Sequence, residues 1–124
     1  MAFSNNKPTA QMLGRWQPWH EGHTELFKRI RSEYDQIWIA VRNVQGWEDN
    51  PFDYHDIRTK INNALFAEGF RYAHDYEISL VPNIVNISYG RGVGYTFTEH
   101  DLGERVHNIS ATKIRAEMRQ RGEL

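Results

Sequence analysis

Gly14-Arg15-Trp16-Gln17-Pro18-Trp19-His20-Glu21-Gly22-His23 is the stretch that decides how this chain is read. It sets two histidines three residues apart, with a glycine between them, after a short apolar run and ahead of a helical pattern. A loop of this kind, running from a strand into a helix start, can offer ring N–H donors, open backbone N–H groups and the positive end of a helix to one anionic group.

Working outward, a short strand through Thr9 to Leu13 leads into the loop, and residues 1 to 8 read as a flexible lead-in closed by Pro8. A helix follows from about Gly22 to Ser32, with Leu26, Phe27 and Ile30 as its apolar stripe. Ile37-Trp38-Ile39-Ala40-Val41 is short and continuously apolar, the pattern of a strand covered on both faces of a parallel sheet. After a loop with Gly46, Asn50 and Pro51, Asp53 caps a second helix whose stripe is Ile57, Ile61, Ala64 and Leu65 and which ends at Gly69. Glu77 to Val81 reads as a third strand, stopped by Pro82, and Ile84 to Ile87 as a fourth short strand or a turn. Gly90, Gly92 and Gly94 break the chain around Arg91, and Tyr95 to Thr98 reads as a further strand. The last helix runs from Ser110 or Thr112 to Arg121, with Ile114 and Met118 inward and Gly122 at its end. This alternation predicts an α/β fold: a Rossmann-like parallel sheet of about five strands, right-handed crossovers and helices on both faces. Ligands of such sheets bind beyond the carboxyl ends of the strands, where the His20–His23 loop leaves the first one.

Composition bounds the function without naming it. The 124 residues suit a single domain spanning 1–124 with one core. Hydrophobic residues at 40% and charged residues at 25% are in the globular range, which argues against wholesale disorder. A formal net charge of -1 gives no whole-chain basic field for a nucleic-acid backbone, so no nucleic-acid partner is expected. The chain has no cysteine, which removes disulfides and thiolate metal sites and fits a cytoplasmic protein. No apolar run reaches membrane-spanning length, and the polar start lacks a signal-peptide core, so no membrane partner is expected either.

The Gly14–His23 stretch closely resembles the histidine-any-glycine-histidine signature of the nucleotidyltransferase superfamily, whose extended form has Phe where this chain has Trp16. Ile109-Ser110-Ala111-Thr112-Lys113-Ile114-Arg115 resembles the superfamily's late motif, with Ala111 in place of a serine. Hydroxyls and open N–H groups at a helix start, with an arginine one turn in, suit a phosphate. Asn50-Pro51-Phe52, followed by Arg58, resembles a segment of the archaeal-type nicotinamide mononucleotide adenylyltransferases, and the order of the three segments is that branch's order. Length is closer to the compact cytidylyltransferases that act on glycerol phosphate. Tyr89-Gly90-Arg91-Gly92-Val93-Gly94-Tyr95 matches neither group.

The resemblance implies transfer of a nucleoside monophosphate from ATP or CTP, with ATP slightly preferred, to a small phosphorylated acceptor with release of pyrophosphate. It implies that His20 and His23 donate to the triphosphate and that Arg15 and Arg115 hold phosphate oxygens. Gly14, Trp16, Gly22, Ser110 and Thr112 would complete the nucleotide site, and Arg42 would lie near the incoming phosphate. Magnesium would accompany the nucleotide, and a homodimer is implied by the compact relatives.

The residues also admit plainer uses. The two histidines could simply cap a helix, or could be two ligands of a metal-dependent hydrolase, although zinc normally takes a third and fourth ligand and no other histidine has a paired spacing. Ser110 and Thr112 could be ordinary N-cap residues, and the arginines of the last helix a solvated basic end. A catalytically inactive nucleotide-binding module on the same fold is the other alternative. The four tryptophans read as core or pocket wall.

Overall fold

The apolar run at Ile37 forms the middle strand of a parallel sheet in the computed structural model, which describes residues 2–92 and 94–124. In chain order the elements are β1 (Ala10–Gly14), α1 (Glu21–Arg31), β2 (Ile37–Arg42), α2 (Tyr54–Ala67), β3 (Tyr76–Val81), α3 (Glu104–His107) and α4 (Ala111–Gln120). The sheet order is β1-β2-β3, with Met12 opposite Ile39 and Ile39 opposite Ile78. β2 pairs on both edges, and Ile37, Ile39, Ala40 and Val41 have no solvent exposure, which is why its sequence shows no polar alternation.

Adjacent parallel strands taken in sequence need crossovers of one hand, and these put both crossover helices on one face. That face holds the core. Met12, Ile37, Ile39, Val41, Tyr76 and Ile78 meet Phe27 and Ile30 of α1 and Ile57, Ile61 and Leu65 of α2 in one cluster. The Phe27 ring stands edge-on to Phe70 at 4.9 Å and to Tyr76 at 5.8 Å. The other face carries Trp38, whose indole N–H donates to Ser79 Oγ at 2.9 Å.

Local signals fixed the helix starts. Asp53 caps α2 by accepting from Asp56 N–H at 2.9 Å, and Ser110 caps α4 by accepting from Lys113 N–H at 3.3 Å. The lead-in is tied to the core. The buried Gln36 amide accepts from Ser4 N–H at 3.0 Å and donates to Ser4 O at 2.7 Å and to Thr9 Oγ1 at 2.6 Å.

The structure corrects the strand count to three among the described residues. Neither Ile84 to Ile87 nor Tyr95 to Thr98 forms a strand. Their apolar side chains find no core, with Val85 81% and Phe97 62% exposed. Val93, inside the glycine-rich segment, lies outside the described residues. A short helix, α3, occurs where none was expected and is fastened to α1: Arg105 donates to Glu21 Oε1 at 2.9 Å and Arg29 to Asp101 O at 3.1 Å.

Phe27→Ala empties the middle of the core, where the parent side chain has no exposure. It is expected to lower stability by about 3–5 kcal/mol in urea denaturation. Phe66→Ala, at a position 78% exposed, is expected to stay within roughly 0.5 kcal/mol of the parent.

Candidate functional site

The parallel sheet brings Gly14, Arg42 and Val81, the last residues of its strands, to one edge. The loops that leave this edge are the motif loop, the segment from Asn43 to Asp53 and the long segment after Val81.

His20 is the N-cap of α1, and its Nδ1 accepts from Gly22 N–H at 3.0 Å. His20 N–H in turn donates to His23 Nδ1 at 3.1 Å. The two rings stack with centroids 3.7 Å apart, and the His23 ring packs edge-on to Trp16 at 4.8 Å. Each Nδ1 is an acceptor, so the proton of each neutral ring is assigned to Nε2. Burial lowers both pKa values, that of His23 to about 3, where the nearby His20 adds to the effect. At neutral pH the loop therefore presents two uncharged Nε2–H donors. Gly22 has to be glycine here, because a Cβ would lie 2.8 Å from His20 Cε1.

Gly14 ends β1 under the Trp16 indole, where a Cβ would sit 2.7 Å from the ring. Trp16 has a left-handed backbone, φ 55°, and its buried indole donates to Ala40 O at 3.2 Å. That bond and the surrounding core hold a conformation that a bulky residue rarely adopts. Trp16 is thus placed as wall and anchor of the loop.

Gln17 connects the three motif segments. Its buried amide donates from Nε2 to Phe52 O and accepts at Oε1 from Phe52 N–H, both at 3.0 Å. Its carbonyl accepts from Arg115 Nη1 at 2.6 Å. Arg115 is the buried residue of α4, 4% exposed. Its other arm is held loosely, by Thr112 Oγ1 at 3.4 Å and by exposed Asp49 at 3.6 Å. Burial lowers the Arg115 pKa, Asp49 partly opposes that, and Arg15 and Arg119 add to it.

Arg15 is exposed and reaches Asn50 Oδ1 at 3.4 Å. Arg42 donates from Nη2 to Asn83 Oδ1 at 2.9 Å, while its Nε is buried without a partner among the described residues. Ser110 serves as a cap, and Thr112 opens on a cavity of about 440 Å³ between α4 and the loop of Trp47, Glu48 and Asp49. A second cavity, about 530 Å³, lies at the ends of β2 and β3 and is lined by Arg42, Asn50, Phe52, Tyr54 and Leu80 among others. Neither is lined by His20 or His23. The histidines sit on the loop that Gln17 ties to Phe52 of one cavity and Arg115 of the other. The chemistry of the neutral donors, rather than concavity, marks the site.

Sequence reading missed Gln17 as a connector, and it missed Arg119. Arg119 donates from Nη2 to Trp47 O at 2.6 Å and to Glu48 O at 2.9 Å, and it lies over the Trp47 ring. The four-residue spacing of Arg115 and Arg119 places both on one face of α4, a signal available in the sequence. Nothing local marks Gln17, because its partners are 35 and 98 residues away.

No protein-family model matches the chain. Among curated proteins, the nicotinamide-nucleotide adenylyltransferase of Methanococcus maripaludis strain C6 is 47% identical over a gapped alignment of 132 positions that covers 88% of this chain and 77% of the relative. The proteins of the same name from Methanococcus aeolicus and Thermoplasma acidophilum are 44% and 36% identical over 65 and 81 residues. The chain spans only 38% and 42% of those two relatives' lengths. Identity at this level over most of both chains in the first case places the chain in the nicotinamide-nucleotide adenylyltransferase family.

Proposed function

We propose that this chain transfers adenylate from ATP to a phosphomonoester of the nicotinamide-nucleotide kind. An acceptor phosphate oxygen attacks the α-phosphorus, a new P–O–P linkage forms, the bond to the bridging oxygen breaks, and pyrophosphate leaves with that electron pair. The nucleophile is already an anion, so the protein has to position the reactants and balance developing charge.

The observation that carries this reading is the capped histidine pair. Both Nδ1 atoms are occupied by backbone N–H groups, which leaves both Nε2–H groups to donate to triphosphate oxygens beside the capped start of α1. Arg15 is free to swing onto a phosphate from its weak contact with Asn50. Arg115 keeps one arm on Gln17 O and offers the loosely held arm to the α4 cavity, with Thr112 beside it. Gly14 and Trp16 wall the nucleotide's phosphate end, Gly22 leaves room for the His20 ring that caps α1, and Ser110 supports the α4 start. Arg42, which lines the second cavity and holds Asn83 with one arm, suits the acceptor phosphate.

Among the described residues no group of three or more His, Asp or Glu is placed to hold a metal. Magnesium would come with the triphosphate, and Glu48 and Asp49 are the carboxylates of the α4 cavity. Bound to the phosphates, it would neutralise charge on the leaving pyrophosphate.

The reading is tested by product analysis with ATP or CTP crossed with phosphomonoesters that include nicotinamide mononucleotide. A dinucleotide from ATP, with pyrophosphate, is the expected result. Products from CTP alone would replace the donor, and nucleotide binding without any product would make the chain a binding module.

His20→Asn and His23→Asn keep a side-chain acceptor for the backbone N–H and delete the Nε2–H donor. Each is expected to lower turnover by about 100- to 1,000-fold while retaining the fold by circular dichroism. Turnover within a few-fold of the parent would leave the pair only its capping role.

The same pair sets an acid limit. Because the His23 pKa falls from 6.5 to about 3 on folding, the unfolded chain binds the proton first across that window. Stability is retained above the unfolded value and lost as pH falls towards the folded one. Urea denaturation across the window should therefore show a shallower pH slope in His23→Asn than in the parent. Equal slopes would assign the acid loss to other groups.

A further inference from the structure

Gln17 and Gln36 are two buried amides with the same chemistry in opposite places. Gln36, with no exposure, holds Ser4 and Thr9 just before β2, at the amino end of the sheet. Gln17, 3% exposed, lies at the carboxyl end. Its amide is matched donor to acceptor and acceptor to donor with the backbone of Phe52, and its carbonyl receives Arg115. Phe52 borders the cavity at the ends of β2 and β3, and Arg115 borders the cavity at α4. The histidine that caps α1 is three residues further along the same loop.

We propose that Gln17 is a positioning residue: its three hydrogen bonds fix the histidine loop, the Asn50-Pro51-Phe52 segment and α4 relative to one another, so that groups bound in the two cavities meet in register. A primary amide suits the task. Two antiparallel hydrogen bonds to one backbone residue set distance and orientation together, as a strand pairing does, whereas an apolar contact would permit sliding. The Arg115 bond adds a charge-assisted link from the other side. Gln17 is itself only 3% exposed, so it acts through Phe52, Arg115 and the histidine loop.

The kinetic arm of the test rests on the adenylyl-transfer reading, and the exchange arm does not. Gln17→Met and Gln36→Met preserve side-chain length and delete two and three side-chain bonds, the Arg115 bond to the residue 17 backbone carbonyl staying available, so both are expected to lower the melting temperature. They are compared at a temperature where circular dichroism shows both folded. With ATP and nicotinamide mononucleotide, Gln17→Met is expected to lose roughly 100-fold in kcat, the size of effect that an ångström of misplacement produces. The KM for ATP should change far less, and Gln36→Met should keep the parent kcat. Hydrogen exchange followed by mass spectrometry should show residues 50–52 and the start of α4 both opening faster in Gln17→Met and neither doing so in Gln36→Met. Should the parent turn over no acceptor, the transfer reading fails and the exchange comparison alone decides the brace. Exchange in those two segments that is the same in both variants, or kcat losses that only follow the folded fraction, would overturn the proposal.

Discussion

The two hydrogen bonds between the Gln17 amide and the Phe52 backbone join parts of the chain that local structure leaves independent. The motif loop hangs from β1, the Asn-Pro-Phe segment from β2, and α4 comes last in the chain. A three-stranded sheet orders only the roots of these segments. Burial makes the amide bonds decisive: inside the protein an unpaired amide or peptide group is costly, so the arrangement in which all of them pair is strongly preferred over its neighbours. With Phe52 fixed, the preceding Asn50 meets Arg15, and with the Gln17 carbonyl fixed, Arg115 has its acceptor.

Fold and chemistry share bonds in the histidine pair as well. The cap that starts α1 is the same contact that assigns the imidazole protons. An aspartate would cap the helix as well and would present no donor beyond the cap. Stacking the rings at 3.7 Å against buried tryptophans disfavours charge on either one. In the proposed site, oriented neutral donors would act at a helix start and net positive charge would be left to the arginines around it.

Much of this was legible in the sequence. The continuous apolar run at Ile37, the Asp53 and Ser110 caps and the His20–His23 spacing are local patterns, and each appears in the structure within a residue or two of its expected place. The failures are non-local. The segments at Ile84 and Tyr95 carry strand-like residues, but a strand exists only where a neighbour offers a ladder, and here none does. The roles of Gln17 and Arg115 depend on partners up to 98 residues away, which no periodicity encodes. Ile114 and Met118, the expected inward face of the last helix, are partly buried and Met118 packs against the core, but the most buried residue of the helix is the arginine between them.

That burial connects the docking of α4 to anion binding. Taking a guanidinium out of water is unfavourable, and the lowered pKa of Arg115 reports it. One arm recovers part of the loss from a short bond to Gln17 O, while the other has only a long hydroxyl contact and a carboxylate on a 74% exposed side chain. The helix is thus docked with part of a cation's bonding capacity unfilled, facing a cavity. An anion that binds there would complete the charge-assisted bonds and tighten the contact between α4 and the motif loop at the same time. A ligand in the cavity would thus favour the docked helix by no more than its own difference in affinity for the docked and undocked arrangements.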